Sequence, residues 1–146
     1  MRSFDVLAGV TPTWRGSTPA GRVVAEFLGQ VRITGDADAA AAVMAPVVRC
    51  HQMNSEAPAT IERTPADYAE HVREMLADFD RVEYVVTELL SENDHVYVRW
   101  QQTGHVLRGQ ALVELGSAVY RVSRGCIAEY WIQLDRHGLL AQINEA

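Results

Sequence analysis

Tyr120-Arg121-Val122-Ser123-Arg124-Gly125-Cys126-Ile127-Ala128-Glu129-Tyr130-Trp131-Ile132-Gln133-Leu134-Asp135-Arg136-His137-Gly138-Leu139-Leu140-Ala141-Gln142-Ile143 is the stretch that decides the fold. A run rich in β-branched and aromatic residues meets a Ser-Arg-Gly turn. A second such run carries Glu129-Tyr130-Trp131-x-x-x-Asp135, and a Gly-Leu-Leu-x-Gln segment follows. The pattern predicts a hairpin of strands over 107–122 and 126–134. Asp135 then stands where a short terminal helix needs its N-cap.

Working backwards, the period of two continues over 82–90 and 95–103, with a turn at Ser91-Glu92-Asn93-Asp94 and a loop near Gly104. Upstream of Arg81 the period is helical. Thr18-Pro19 pairs an N-cap with proline at the first helical position, and Val24, Phe27, Leu28 and Val31 repeat on one face, which predicts a helix over 19–33. Asp36 caps an Ala-rich helix through Met44, Pro46 ends it, and Val47 to His51 reads as a short strand. Residues 52–63 read as a loop at a rim. Thr64-Pro65 starts a third helix to about Phe79, with Tyr68, Val72, Met75 and Leu76 on its apolar face. Helices first and an antiparallel meander second give an α+β fold. Residues 1–18 form an arm ahead of it, and no repeat or second hydrophobic centre divides 1–146 into two domains.

This order of elements, with Glu-Tyr-Trp-x-x-x-Asp and Gly-Leu-Leu-x-Gln at its end, resembles the SnoaL-like polyketide cyclases of the nuclear-transport-factor-2-like and ketosteroid-isomerase-like superfamily. The likeness runs from the first helix to Ile143. It implies a strongly bent antiparallel sheet packed on three N-terminal helices as a cone. It also implies a deep, mostly apolar pocket for a small apolar substrate and an outer sheet face that pairs two subunits as a homodimer.

Composition narrows the partners. The 146 residues are 48% hydrophobic, enough for one core and a pocket. Nineteen acidic against 13 basic residues, a net charge of −6, disfavour binding to nucleic acid or anionic membrane. Cys50 and Cys126 make neither a disulfide framework nor a metal knuckle, and no histidine pair has ligand spacing, so no metal or cofactor is expected. No apolar run reaches the eighteen or so residues of a membrane span, and a cytoplasmic setting is the expectation.

Strand parity selects the candidate site. Val96, Val98, Trp100 and Gln102 share one face, taken as inward, with Trp100 as pocket wall or plain core and Gln102 as donor to a ligand oxygen. Tyr97, Arg99 and Gln101 point outward. In the last strand Ala128, Tyr130 and Ile132 face in, against Ile127, Glu129 and Trp131. By the resemblance, the aldol-type cyclases carry an acid directly after the tryptophan and a histidine on the neighbouring strand. Those positions are Ile132 and Ala118 here, and neither side chain can move a proton. Asp135 matches the family pattern, as cap or as a carboxylate at the pocket mouth. His51 and His105 are the histidines with access to a cavity. Glu83, Glu88, Glu114 and Glu129 read as outer-face residues, with Glu114 reversible by a bulge.

The reading is therefore a cyclase that folds an apolar substrate with little acid/base chemistry, by cycloaddition or conjugate addition. Tyr130 and Gln102 would orient the substrate. The alternatives are an aldol cyclase, isomerase or dehydratase working through Asp135 and His51, or a non-catalytic carrier of an apolar metabolite.

Overall fold

The computed structural model describes residues 18–106 and 110–144, so the predicted arm lies outside the described residues except for Thr18. Helix α1 (Pro19–Phe27) begins as its Thr-Pro signature requires, with Thr18 Oγ1 accepting from the Gly21 amide at 2.9 Å. The helix then widens into a π-helical turn over Leu28–Arg32 that buries Leu28, Val31 and Arg32. The sequence predicts one regular helix here and gives no sign of the wider turn, a feature that recurs at functional sites.

Asp36 caps helix α2 (Ala37–Val43) by accepting from the amides of Asp38 and Ala39. This helix passes directly into strand β1 (Met44–Gln52), so Pro46 lies inside the strand rather than ending the helix. The ladder accommodates it by a register shift between Met44 and Arg49. Strand β2 (Ala59–Arg63) pairs antiparallel with β1 where an unbroken loop was expected. All five of its residues are exposed or half-buried, so the alternation that announces a strand is missing. Helix α3 (Pro65–Ala77) is held by a reciprocal capping box between Thr64 and Asp67.

The meander follows as predicted: β3 (Phe79–Glu92), β4 (His95–Val106), β5 (Ala111–Ser123) and β6 (Cys126–Leu134). Arg124 and Gly125 have φ of 54° and 78°, the two left-handed residues of a type I′ hairpin turn. The sheet order is β2-β1-β6-β5-β4-β3, with β1–β6 the one parallel pair. Two rows of its inner face matter below. Tyr84, Gln102 and Glu114 are cross-strand partners, and Val86, Trp100, Gly116 and Leu134 form the next row.

Between sheet and helices lies an aromatic cluster. Phe27 packs on Tyr68 at 5.3 Å and Tyr120 at 5.4 Å, and Tyr120 packs on Tyr130 at 5.6 Å. Such tilted pairs contribute beyond their buried area.

Two parity expectations need correction. Ile127 is fully buried instead of sharing the outer face with Glu129, because the β5–β6 register shifts between Arg121 and Val122. Glu114 faces inward with no bulge at all, since the β4–β5 register is unbroken from Ala111 to Arg121. It simply shares the parity of Gly116, Ala118 and Tyr120.

Helix α4 (Arg136–Asn144) is tied to the sheet by one side chain. Strand β5 extends past the end of β6, and there the Val113 amide donates to Gln142 Oε1 at 2.8 Å while Gln142 Nε2 donates to the Val113 carbonyl at 2.8 Å. The glutamine amide thus takes the place of a missing strand peptide. Gln142→Ala is expected to remove both bonds, each worth about 1 kcal/mol, and to speed hydrogen exchange at the Val113 amide about tenfold or more. Unchanged exchange there would show that α4 is held by other contacts. Among the described residues no helix is long and apolar enough to cross a membrane.

Candidate functional site on the inner face of the sheet

Arg32 closes the π-helical turn and is only 6% exposed. Its Nη2 donates to Gln102 Oε1 at 3.1 Å, and its guanidinium carbon lies 4.8 Å from the centre of the Tyr84 ring. Tyr84 in turn stacks on Trp100 at 5.9 Å. The guanidinium is therefore fixed in plane and position by an acceptor at one edge and an aromatic face beneath it.

Opposite Gln102 in register stands Glu114. Burial pushes its carboxyl above the ordinary range, against the pull of Arg32 and Arg136 in the other direction. It forms no ion pair with Arg32. Arg32 Nη1, Tyr84 Oη, Trp100 Nε1 and Glu114 Oε1 are all buried without a hydrogen-bond partner among the described residues. Each such atom costs about 1–3 kcal/mol, and a charged one more, so the Arg32 guanidinium with Tyr84 and Glu114 beside it, and Trp100 stacked on Tyr84, form a polar pole in the interior.

Beyond this pole the inner face is mostly apolar and aromatic, with Arg63 near Cys50, Tyr68 and Tyr130 and its Nε buried without a partner among the described residues. Val98, Ala118 and Ile132 form one cross-strand row, and Val96, Tyr120 and Tyr130 the next. Burial holds the Tyr68 hydroxyl up to about 12 and lifts Tyr84, Tyr120 and Tyr130 as well. None of them ionises near neutrality, and all remain hydroxyl donors. Gly116 matters for shape: a Cβ there would meet the Trp100 indole at 2.5 Å, so only glycine lets the indole lie across β5.

The outer face holds a second, self-satisfied cluster. His51 Nε2 meets Glu129 Oε2 at 2.6 Å, its Nδ1 meets Thr60 Oγ1 at 2.9 Å, and its ring stacks on Trp131 at 5.2 Å. Glu129 also accepts from Arg121 Nε at 3.1 Å. The His51 bond first, and Arg121 second, hold the Glu129 carboxyl below the usual range. Its contribution to stability is therefore present above the unfolded carboxylate range and is lost as pH falls through the lowered folded value. A groove of about 480 Å³ opens on this face between Arg99, Gln101, Leu115, Ser117 and Gln133, and it reaches Trp100, Gly116 and Leu134 between the strands. Another, of about 540 Å³, lies between Met53–Glu56, Asp135 and Leu140.

The family model of SnoaL-like polyketide cyclases matches residues 22–143. The chain belongs to that family. A candidate polyketide cyclase from Acidithiobacillus ferrooxidans is similar in structure with a TM-score of 0.73 and 22% identity, over 89% of this chain and 97% of that one. IdmH, a candidate polyketide cyclase from Streptomyces antibioticus, gives 0.71 and 20%, over 86% and 98%. AclR, a candidate hydroxylase from Streptomyces galilaeus, gives 0.69 and 16%, over 87% and 85%. At these identities the likeness carries the fold alone. No curated protein matches the sequence.

Within the SnoaL-like frame the predicted residues divide. Trp100, Gln102, Ala118 and Tyr130 are buried on the inner face, and Ile132 packs against that core. Gln102 Oε1 accepts from Arg32, whereas the donor role expected of this residue belongs to its Nε2. His51 lies on the outer face, because Cys50 takes the inward position of β1. His105 is also outward, its Nε2 accepting from Arg81 Nη2 at 3.0 Å. Asp135 is exposed and caps α4, its Oδ1 accepting from the Gly138 amide at 2.9 Å. Arg32 escaped the sequence reading altogether. Its one signal was a cation eight residues after Val24 and four after Leu28, beside the apolar stripe of the first helix.

Proposed function

We propose that this SnoaL-like protein closes a ring in a polyketide-type intermediate by folding the chain against the inner face of the sheet. The observation that carries this reading is the chemistry of that face: Ala118 and Ile132 share a row with Val98, so no proton-transfer pair stands there. Positioning alone can supply about 7–11 kcal/mol of a ring-closing barrier in favourable cases. A hydrogen bond to a carbonyl oxygen adds to it by drawing electrons from a conjugated acceptor. Cycloaddition fits these terms with no proton moved, and conjugate addition fits them when the proton that leaves the nucleophile passes to solvent and the α-carbon of the resulting enolate takes one back from solvent. Arg32 and Trp100 supply the donors that orient and polarise the substrate, Tyr130 forms part of the wall with its hydroxyl bonded to Cys50, and Gln102 holds the guanidinium in place.

One observation favours a second reading, in which a proton is moved. Glu114 is the carboxyl on the inner face, beside Arg32 in a setting that keeps it protonated to higher pH. Asp135 and His51 are spent on a helix cap and on the Glu129 bond. Acyclic enone and diene substrates assayed by chromatography and mass spectrometry separate the readings. Under the positional mechanism Glu114→Gln retains at least about half of the rate, and the rate is flat between about pH 6 and 8. A hundredfold loss in Glu114→Gln, together with a pH profile that disappears in that variant, would replace it by the acid/base reading. Failure to convert any such substrate that binds would leave a carrier.

We also propose that the outer face pairs two copies. Leu115 is half exposed in the groove beside Arg99 and Gln101, and Tyr97, Glu129 and Trp131 extend the same mixed aromatic and polar face. Sedimentation at micromolar concentration is expected to give a dimer that Leu115→Arg dissociates; a monomeric parent protein would refute the pairing.

A further inference from the structure

Building on the proposed site, we infer that Arg32 is its recognition group and that the ligand presents an anionic oxygen conjugated to a carbonyl, as in the enolate of a β-dicarbonyl unit or a carboxylate. Three of the four unpartnered atoms at the polar pole can donate: Arg32 Nη1, Trp100 Nε1 and Tyr84 Oη. The guanidinium and the indole can do nothing else, since neither is an acceptor. The complement of such a set is an oxygen rich in lone pairs, not an ammonium or a metal ion.

Charge points the same way. Arginine keeps its proton in any protein interior, and this one is buried with no ion-pair partner among the described residues. Glu114 is the nearby carboxyl, on β5, and burial favours its neutral form. The tyrosines that face Arg32 from α3, β3 and β5, Tyr68, Tyr84 and Tyr120, are held neutral by burial. An uncompensated buried cation is strongly unfavourable, and an arriving anion removes that penalty. The guanidinium is also held in place: Gln102 and the Tyr84 ring fix one edge and one face of it and leave Nη1 without a partner among the described residues, so that the side chain needs little further ordering on binding.

Calorimetric titration of the full chain near neutral pH tests this with two matched pairs. One pair is benzoate and benzamide; the other is the dimedone enolate and its neutral O-methyl ether. Each anion is expected to bind at least about tenfold more tightly than its neutral partner, the advantage of a charge-assisted hydrogen bond in a buried site. Arg32→Met should remove that preference. Arg32→Lys, which keeps the charge but loses the planar fork, should retain only part of it and covers the case in which the methionine variant does not fold. Trp100→Phe should weaken the anions several-fold and leave the neutral partners unchanged. The stronger of the two anions identifies the source of the oxygen, β-dicarbonyl or carboxylate. Equal affinity for the charged and neutral members of both pairs, absence of binding included, would overturn the inference, as would a preference that survives in Arg32→Met. Ring closure without anion preference would sink this inference alone. Anion preference without ring closure would sink only the cyclase reading.

Discussion

Trp100→Ala is expected to lower the rate of ring closure at least about a hundredfold, the scale of a lost positioning contact, and to cost about 3–5 kcal/mol of stability. The indole is 1% exposed, stacks on Tyr84 and lies across Gly116. Its removal therefore opens a cavity next to the Arg32 pole and frees the Tyr84 ring on which the guanidinium rests. Trp100→Phe separates the two effects by keeping much of the volume. It should regain most of the stability in chemical denaturation while remaining slow, because the indole N–H is still gone. Full activity in a folded Trp100→Ala protein would place the reacting groups elsewhere.

Ile132→Asp is the second large effect, and it depends on pH. Ile132 sits in the row of Ala118 and Val98 and packs on the core, so a carboxylate there has no partner. Partial burial among apolar neighbours should raise its folded pKa above the ordinary carboxylate range. The unfolded chain binds its proton less tightly than the folded one. The penalty is therefore absent below about pH 4, grows as pH rises through the window between unfolded and folded values, and is constant above it. Denaturation midpoints that stay parallel to the parent protein from pH 4 to 8 would show that position 132 is solvated and outside the pocket wall. Turnover should fall at neutral pH for the same reason, since the charge breaks the apolar surface that folds the substrate.

The sequence was most legible where local chemistry acts alone. Thr18-Pro19, Thr64-Pro65 and Asp135 each mark a cap that bonds amides within a few residues, so these caps are written in adjacent letters. The meander was legible because an antiparallel sheet with one buried face must alternate, and the inward faces of Trp100, Gln102, Tyr130 and Ile132 followed from that rule, while Ala118 was singled out by the resemblance. Illegible were features that depend on neighbours distant in sequence. Strand β2 has no buried face of its own, and it exists because β1 offers an edge. Ile127 changes face through a register shift against β5. His51 and His105 were given access to a cavity by their places at strand ends. The side that each ring takes is set by Cys50 in one case and by the parity of Trp100 and Gln102 in the other. Arg32 was hidden most deeply, since the Gln102 oxygen and Tyr84 ring that hold it come from strands 70 and 52 residues onward.

The central claim is that substrate meets the inner face at Trp100. The most direct measurement is the indole N–H region of a nitrogen-15 proton correlation spectrum, with Trp100 assigned through Trp100→Phe, recorded as the cyclised product is added. The Trp100 indole resonance is predicted to move downfield as its unpartnered N–H gains an acceptor, while that of Trp131, on the outer face, stays in place. A shift of Trp131 with Trp100 unmoved would contradict the claim and move the site to the surface of His51 and Glu129.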